Sequence, residues 1–544
     1  MIRAYPGRVS LWPGEALVLH VGGGARRFRV RFWGWGARPR LLGRSGWRSN
    51  PAAGTGAANL AGAAERPQCT ADRNAAPADA AKSPGATGSD PAAASDWGWP
   101  AHIFAIPASW PRGVVLAQLE EEGLPLPILH LGLTHGAALF VLRGPGRAAL
   151  LYKLPLSTWQ AYNCCGGSCL YHRPVASRAP PGGKVSLRRP GGGIGGPVHG
   201  AVDAHVDLRQ GRVRAVWPAT ARNSFGHWDA PFIQWLLRQG IACEFCTDLD
   251  IHAEPELCGR HRLLVSAGHD EYWTGATRDH VEAFVAAGGG LAIFGANTCW
   301  WRTHLVDAGG ALVCHQGGPE GPRDQWWSGV GRPENSLTGV SYRHGGGWWD
   351  GLRRVGGYRV RAAGHWVYAG TGLADGAEFG AAAAAESSYG SGTDSATNSA
   401  TKFATRSATR SATRSGIKAG TRGACPLIGY ECDGVPLAEG AGTDPPRLAP
   451  DASAAGTPPD LVLLATCLLE RRWQDLPHNE RHGPREGPHN AAMTLHARQP
   501  HRGTVFNAGT VDWPRALAAG DATVARITRN VLRRLGSVAV SRTG

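Results

Sequence analysis

From residue 7 to residue 35, in "VSLWPGEALVLHVGGGARRFRVRFWGW", apolar and polar residues alternate between Pro-Gly and Gly-Gly-Gly breaks. A period of two puts one side of an extended chain on a core, so the pattern predicts short, half-buried strands. The alternation resumes in "HIFAIPASWPRGVVLAQLEEEG" and "AALFVLRG", and together these stretches predict a β-sandwich over residues 1–143. Between them, from about residue 44 to 96, Ala, Gly, Ser, Pro and Asn dominate without any period, which predicts a disordered insertion.

The pattern then changes. "AALLYKLPL" reads as a strand, "HWDAPFIQWLLRQG" as a helix ending at Gly240, "RLLVSAG" as a strand, "TRDHVEAFVAAGGG" as a helix and "LAIFGAN" as a strand. Strand, helix and strand at this spacing predict an α/β domain over residues 148–541 with a parallel sheet and crossover helices. Sites in such sheets form beyond the carboxyl ends of the strands, where "GHDEYW" (268–273) and "GANTCWWR" (295–302) fall. A second biased stretch holds the repeat "SATNSATKFATRSATRSATRS", and its polar, Pro-rich continuation predicts a surface insertion over about residues 381–459. "DLVLLATCLL" then resumes the fold, and "GTVFNAGTVDWPRALAAGDATVARITRNVLRRL" predicts a strand, a polar turn and a closing helix.

Charge adds less than its size suggests. Lys and Arg number 57 against 42 Asp and Glu, a net +15, but the basic residues are scattered and form no stripe interleaved with aromatics, so nucleic acid is not an expected partner. Twelve Cys in 544 residues are too dilute for a disulfide framework. The longest apolar run, "LVLLATCLL", is too short to span a bilayer, and a soluble cytoplasmic protein is the expectation.

Four segments offer chemistry. Glu271, beside His269 and Asp270, suits a hard metal ion or a base; the competing role for either acidic residue is to cap the next helix. Asn297 after the next strand suits substrate orientation or simply a turn, while Trp300 and Trp301 read as wall or core. In "STWQAYNCCGGSCLYHRP", Tyr162 and Tyr171 flank a Gly-Gly turn and could offer phenolate oxygens to ferric iron, though a buried Tyr bonded to backbone is commoner. Cys164, Cys165 and Cys169, with Cys243 and Cys246, lack regular zinc spacing and read as small buried side chains. Asn507, Thr510 and Asp512 in "FNAGTVDW" suit a contribution to the pocket or, by default, a turn that caps the last helix.

Taken together, "LYKLPLSTWQAYNCCGGSCLY", "WDAPFIQWLLRQG", "CTDLDIH", the stretch from "LLVSAGHDEYW" to "GANTCWWR", and "TVFNAGTVDW" with the helix after it resemble the large subunit of N,N-dimethylformamidase and proteins sharing its C-terminal domain. The resemblance implies a class I glutamine amidotransferase-like, flavodoxin-like α/β domain without the cysteine machinery. It further implies one iron ion (Fe3+) held by two tyrosines and a glutamate, hydrolysing a small formamide to formate and an amine. Glu271 matches the glutamate, Tyr162 the first tyrosine, and His269 and Asn297 pocket residues, with Asp270 a further catalytic candidate; Tyr171 is the nearest candidate for the second tyrosine. The implied partners are a small-molecule amide and either a small subunit or a second copy of the chain. The competing expectation is a non-catalytic binder of a polar ligand such as a glycan, marked by an exposed Trp platform.

Overall fold

A computed structural model describes residues 2–53, 97–124, 136–166, 169–171, 183–194, 198, 205–207, 212–214, 222–317, 321–347, 356–381, 426–438, 446–469, 488–497 and 503–537. The architecture is mixed α/β, built from several sheets and few helices.

The alternating N-terminal segments form two sheets. Arg3–Pro6, Ala16–Gly22 and Ala101–Ala105 make one antiparallel sheet. Ser10–Leu11, Ala137–Leu142, Gly113–Glu121, Arg27–Trp35 and Pro39–Arg44 make the other, with Arg48–Ser49 also pairing to Arg27–Trp35. Every second residue turns inward, so Leu17, Leu19 and Val21 meet Phe28, Val30, Phe32, Val115 and Leu119 in one core. Gly113–Glu121 is buried on both faces over most of its length. Val115, Ala117 and Leu119 face that first core, whereas Val114 and Leu116 join the core of the α/β part. The second sheet is thus shared by two cores, and Trp35 extends the seam by donating from Nε1 to the Ala230 carbonyl at 3.1 Å.

The central sheet has nine strands in the order Cys243–Thr247, Leu150–Leu154, Leu263–His269, Gly290–Ala296, Thr504–Asn507, Asn490–Ala497, Val462–Leu468, Tyr358–Val360 and Glu378–Phe379. The first five run parallel; the remaining pairings are antiparallel. The expected parallel sheet is therefore only its first half, because antiparallel neighbours extend it beyond Thr504–Asn507. Helix Leu156–Tyr162 falls where no helix was expected, whereas Asp229–Arg238 and Gly275–Ala286 follow the apolar periods that predict them. Gly240 closes the second from a left-handed backbone, φ 70°.

Three expectations are corrected. The closing helix is two, Trp513–Ala519 and Ala522–Ser537, separated at Gly520 with φ 89°. Residues 45–53, assigned to the first insertion, include the Arg48–Ser49 strand. Residues 426–438, assigned to the second, hold the buried strand Glu431–Gly434 paired antiparallel with Ser341–Gly347, and residues 446–459 are likewise described. Those assignments followed local composition, which misses strands whose partners lie far away in sequence. The rest of both biased stretches falls outside the described residues.

Candidate active site

Leu263–His269 and Gly290–Ala296 pair in parallel from Leu263↔Gly290 to His269↔Ala296. His269 and Asn297 consequently leave adjacent strands at the same carboxyl edge, where a doubly wound sheet presents its ligands. Three residues near this edge are held left-handed without being glycine: Asn223 (φ 63°), Asn297 (φ 49°) and Cys299 (φ 57°). Such backbone is uncommon outside glycine and collects where packing over-determines a functional geometry.

The chain after His269 is fastened from two sides. Thr158 Oγ1 accepts from the backbone N–H groups of Glu271 and Tyr272 at 3.0 and 3.1 Å. From the other side, the Cys299 N–H donates to the Asp270 carbonyl, and those of Trp300 and Trp301 donate to that of Glu271. Thr158 and Tyr162 both lie on Leu156–Tyr162, four residues apart and hence on one helical face. The helix that anchors the Glu271 backbone therefore also delivers a phenol to its carboxylate.

Tyr162 donates to Glu271 Oε2 at 2.8 Å and Tyr171 to Oε1 at 2.7 Å. Tyr272 in turn donates to the Tyr171 hydroxyl at 2.6 Å, and Gln316 Nε2 to that of Tyr272 at 2.6 Å. Tyr171 remains 40% exposed and forms an open edge, while Glu271 is buried. Burial pushes the Glu271 carboxyl up to about 8; the Tyr171 hydrogen bond pulls against this and nearby Glu431 adds to it. Burial and the Glu271 charge hold Tyr162, Tyr171 and Tyr272 well above the usual phenol value.

His269 presents one nitrogen to this cluster. Its Nδ1 lies 2.5 Å from Asn223 Oδ1, an atom that only accepts, so the ring proton sits on Nδ1 and Nε2 keeps its lone pair. Burial lowers the imidazole pKa, against the pull of Glu431 and Asp270, and keeps the ring neutral. Nε2 lies 3.2 Å from Glu431 Oε2 and 3.5 Å from Glu271 Oε2, yet neither contact has hydrogen-bond geometry and the atom has no hydrogen-bond partner. A buried, unsatisfied nitrogen between two carboxyl groups is costly in a merely structural setting.

Asn297 uses its backbone N–H on Asp433 Oδ1 at 2.8 Å and its Nδ2 on Glu431 Oε2 at 3.3 Å. Burial pushes Asp433 up to about 8, although that same N–H pulls it down. Asp270, expected among the catalytic residues, is instead committed elsewhere: it accepts from buried Lys153 at 2.6 Å, from Ser266 at 2.6 Å and from Trp273 Nε1 at 2.9 Å. Trp300 and Trp301 are 2% exposed and form no platform. The FNAGTVDW turn is structural: Asn507 bonds the Thr338 carbonyl and the Gly509 N–H, and Thr510 bonds the Leu427 carbonyl.

The structure thus gathers Tyr162, Tyr171, Glu271, His269 and Asn297, and it adds Glu431, Asn223, Tyr272 and Thr158, which the sequence reading missed. Glu431 was hidden by the biased composition ahead of it, although "LIGYECDGV" is apolar enough to read as a buried strand. Asn223 carries no sequence pattern that marks it.

A family model described as N,N-dimethylformamidase beta subunit-like, C-terminal, matches residues 61–412. Comparison with curated proteins finds no match.

Proposed function

Because the chain belongs to the N,N-dimethylformamidase beta subunit-like, C-terminal family, we propose that it hydrolyses the C–N bond of a small linear amide or formamide with the aid of a bound metal ion. One observation carries the proposal: two phenols converge on the two oxygens of one buried carboxylate, beside an imidazole nitrogen without a hydrogen-bond partner.

The donor set fits a hard, highly charged cation such as iron(III). Tyr162, Tyr171 and Glu271 supply only oxygen, and Glu271 has no Lys or Arg partner among the described residues. Bound there, such an ion would polarise an amide carbonyl and acidify a water molecule.

The chain's own groups do the rest. His269 Nε2, neutral and unprotonated, takes a proton from the attacking water. Glu431, 3.2 Å from that nitrogen, stabilises the imidazolium that results. His269 then returns the proton to the amide nitrogen, because an amine leaves far more readily than an amide anion. Asn297 Nδ2 donates to Oε2 of Glu431, the same oxygen that faces His269, and Asn223 fixes the imidazole tautomer. On this reading the five parallel strands correspond to a flavodoxin-like, glutamine amidotransferase-like sheet and the N-terminal sheets to an immunoglobulin-like sandwich.

The test is metal content, visible spectrum and amide hydrolysis on one preparation. About one iron per chain is expected, with a tyrosinate-to-iron absorption band that disappears in Glu271→Ala. Glu431→Gln should keep the iron and lose turnover. Wild-type protein that stays iron-free and inactive after reconstitution would overturn the proposal.

A further inference from the structure

Beyond the Glu271 pocket, one buried carboxylate collects more imidazole than it needs. Trp301–Val306 pairs antiparallel with Ala311–Cys314, His304 lying across from Val313. Residues two apart on a strand share a face, so Arg302 and His304 point the same way, and His315, one step past the partner strand, comes diagonally beside them. Asp324 arrives beneath them from a loop. Its Oδ1 accepts from His304 Nε2 at 2.9 Å and from Arg302 Nε and Nη2 at 3.0 and 2.8 Å. Its Oδ2 accepts from the His315 backbone N–H and from His315 Nδ1, both at 2.7 Å.

Arg302 alone would neutralise Asp324, and its two-pronged contact is already a strong one. Two further imidazoles therefore need a reason. Each imidazole nitrogen that now shares a proton with the carboxylate becomes a metal donor once that proton leaves. One ligand atom from each of His304, His315 and Asp324 lies within 4.8 Å of the others. Ligands at about 2.1 Å from a shared tetrahedral ion stand roughly 3.4 Å apart, so the cluster admits one when its 2.9 and 2.7 Å contacts lengthen and any wider separation, none above 4.8 Å, closes toward that spacing. Asp324 is 1% exposed and fixes the site, whereas the His304 and His315 side chains are 42% and 25% exposed and leave a face for water.

We propose that His304, His315 and Asp324 form a second metal site, separate from the Glu271 pocket, that takes a zinc-class divalent cation with water completing its coordination. Two nitrogen donors and one carboxylate select zinc, cobalt or nickel over magnesium and calcium, which prefer all-oxygen shells. Arg302 is no ligand; its charge opposes the ion and keeps the site exchangeable. The ion would also pin the residue before Gln316, the donor to Tyr272 in the pocket cluster, and so steady that edge.

The test is calorimetric titration of wild-type protein and Glu271→Gln with Zn2+, repeated with Co2+ under a visible spectrophotometer and with excess Mg2+ present. One Zn2+ per chain is expected at this site in both proteins, unaffected by Mg2+, with Co2+ giving visible d–d absorption. In His304→Gln/His315→Gln the affinity should fall by roughly 100-fold or more, beyond what loss of an outer hydrogen-bond partner costs. These side chains are partly exposed, so an unchanged melting curve will show that the fold stands. Absence of Zn2+ binding in Glu271→Gln protein that melts like wild type overturns the proposal, as does binding that survives the double substitution.

Discussion

The rings of Tyr162 and Tyr171 stack with centroids 4.5 Å apart and 29° between their planes. In that pose each hydroxyl reaches a different oxygen of Glu271, at 2.8 and 2.7 Å. The two residues lie on opposite sides of the Gly166-Gly167 pair in the sequence, yet their hydroxyls act as a pair. Removing either hydroxyl should therefore do more than cut one contact. Tyr162→Phe and Tyr171→Phe are each expected to lower iron affinity by at least about 10- to 100-fold and to weaken the tyrosinate absorption, with turnover falling in parallel. Iron titration and the visible spectrum check this; a Tyr171→Phe protein with wild-type iron binding would remove Tyr171 from the ligand set.

The Lys153–Asp270 pair, with 0% and 1% of its side chains exposed, sits directly behind Glu271. Breaking a buried pair strands the remaining charge, so Lys153→Met should cost about 3–5 kcal/mol. Lys153→Met/Asp270→Asn removes both charges and should cost less than the sum of the two single changes. Chemical denaturation of the three variants measures the coupling; additive losses would mean that the pair does not interact.

Gly268 has φ 71°, and a Cβ there would stand 2.3 Å from Cβ of Trp228. Gly268→Ala is expected to cost roughly 1–3 kcal/mol in backbone strain, with a clash in addition, and to displace His269 next in the chain. Gly240 offers the control, since its φ is 70° but nothing lies near the added atom. Gly240→Ala should cost about 1–2 kcal/mol and leave activity unchanged. Thermal melts and amide turnover separate the two.

In the shared N-terminal sheet, Glu120 meets Arg29 at 2.5 Å and Arg31 at 2.7 Å. The Arg29 hydrogen bond, working against burial and helped by Arg31, lowers its carboxyl from 4.5 to about 2. A carboxyl depressed by folding stabilises the fold above its unfolded value and loses that contribution as pH falls through its folded value. The stabilisation is thus complete above about pH 4.5 and fades toward pH 2. Glu120→Gln should lose about 0–1 kcal/mol at neutral pH and show a shallower decline of stability across that acid window. Urea melts at several pH values read this; an unchanged acid slope would show that the pair contributes nothing.

Hydrophobic periodicity by itself determined the strands Leu263–His269 and Gly290–Ala296, the helices Asp229–Arg238 and Gly275–Ala286, and the placing of GHDEYW and GAN at strand ends. These are local properties: period two or 3.6 is written in neighbouring residues, and a polar cluster after an apolar strand is visible without the fold. Resemblance in the TWQAYN and GHDEYW motifs singled out Tyr162 and Glu271 in the same way. Only the tertiary structure decided that Tyr171 shares a carboxylate with Tyr162, that Asp270 is committed to Lys153, and that Glu431 faces His269. Glu431 lies 134 residues beyond Asn297, on a strand whose partner is Ser341–Gly347. Convergence of that kind follows from how buried sheets pack and satisfy their polar groups over long separations. Local sequence carries no period for it, and the contacts that sort a charge-paired carboxylate such as Asp270 from one without a Lys or Arg partner among the described residues, such as Glu271, exist only once the chain has folded.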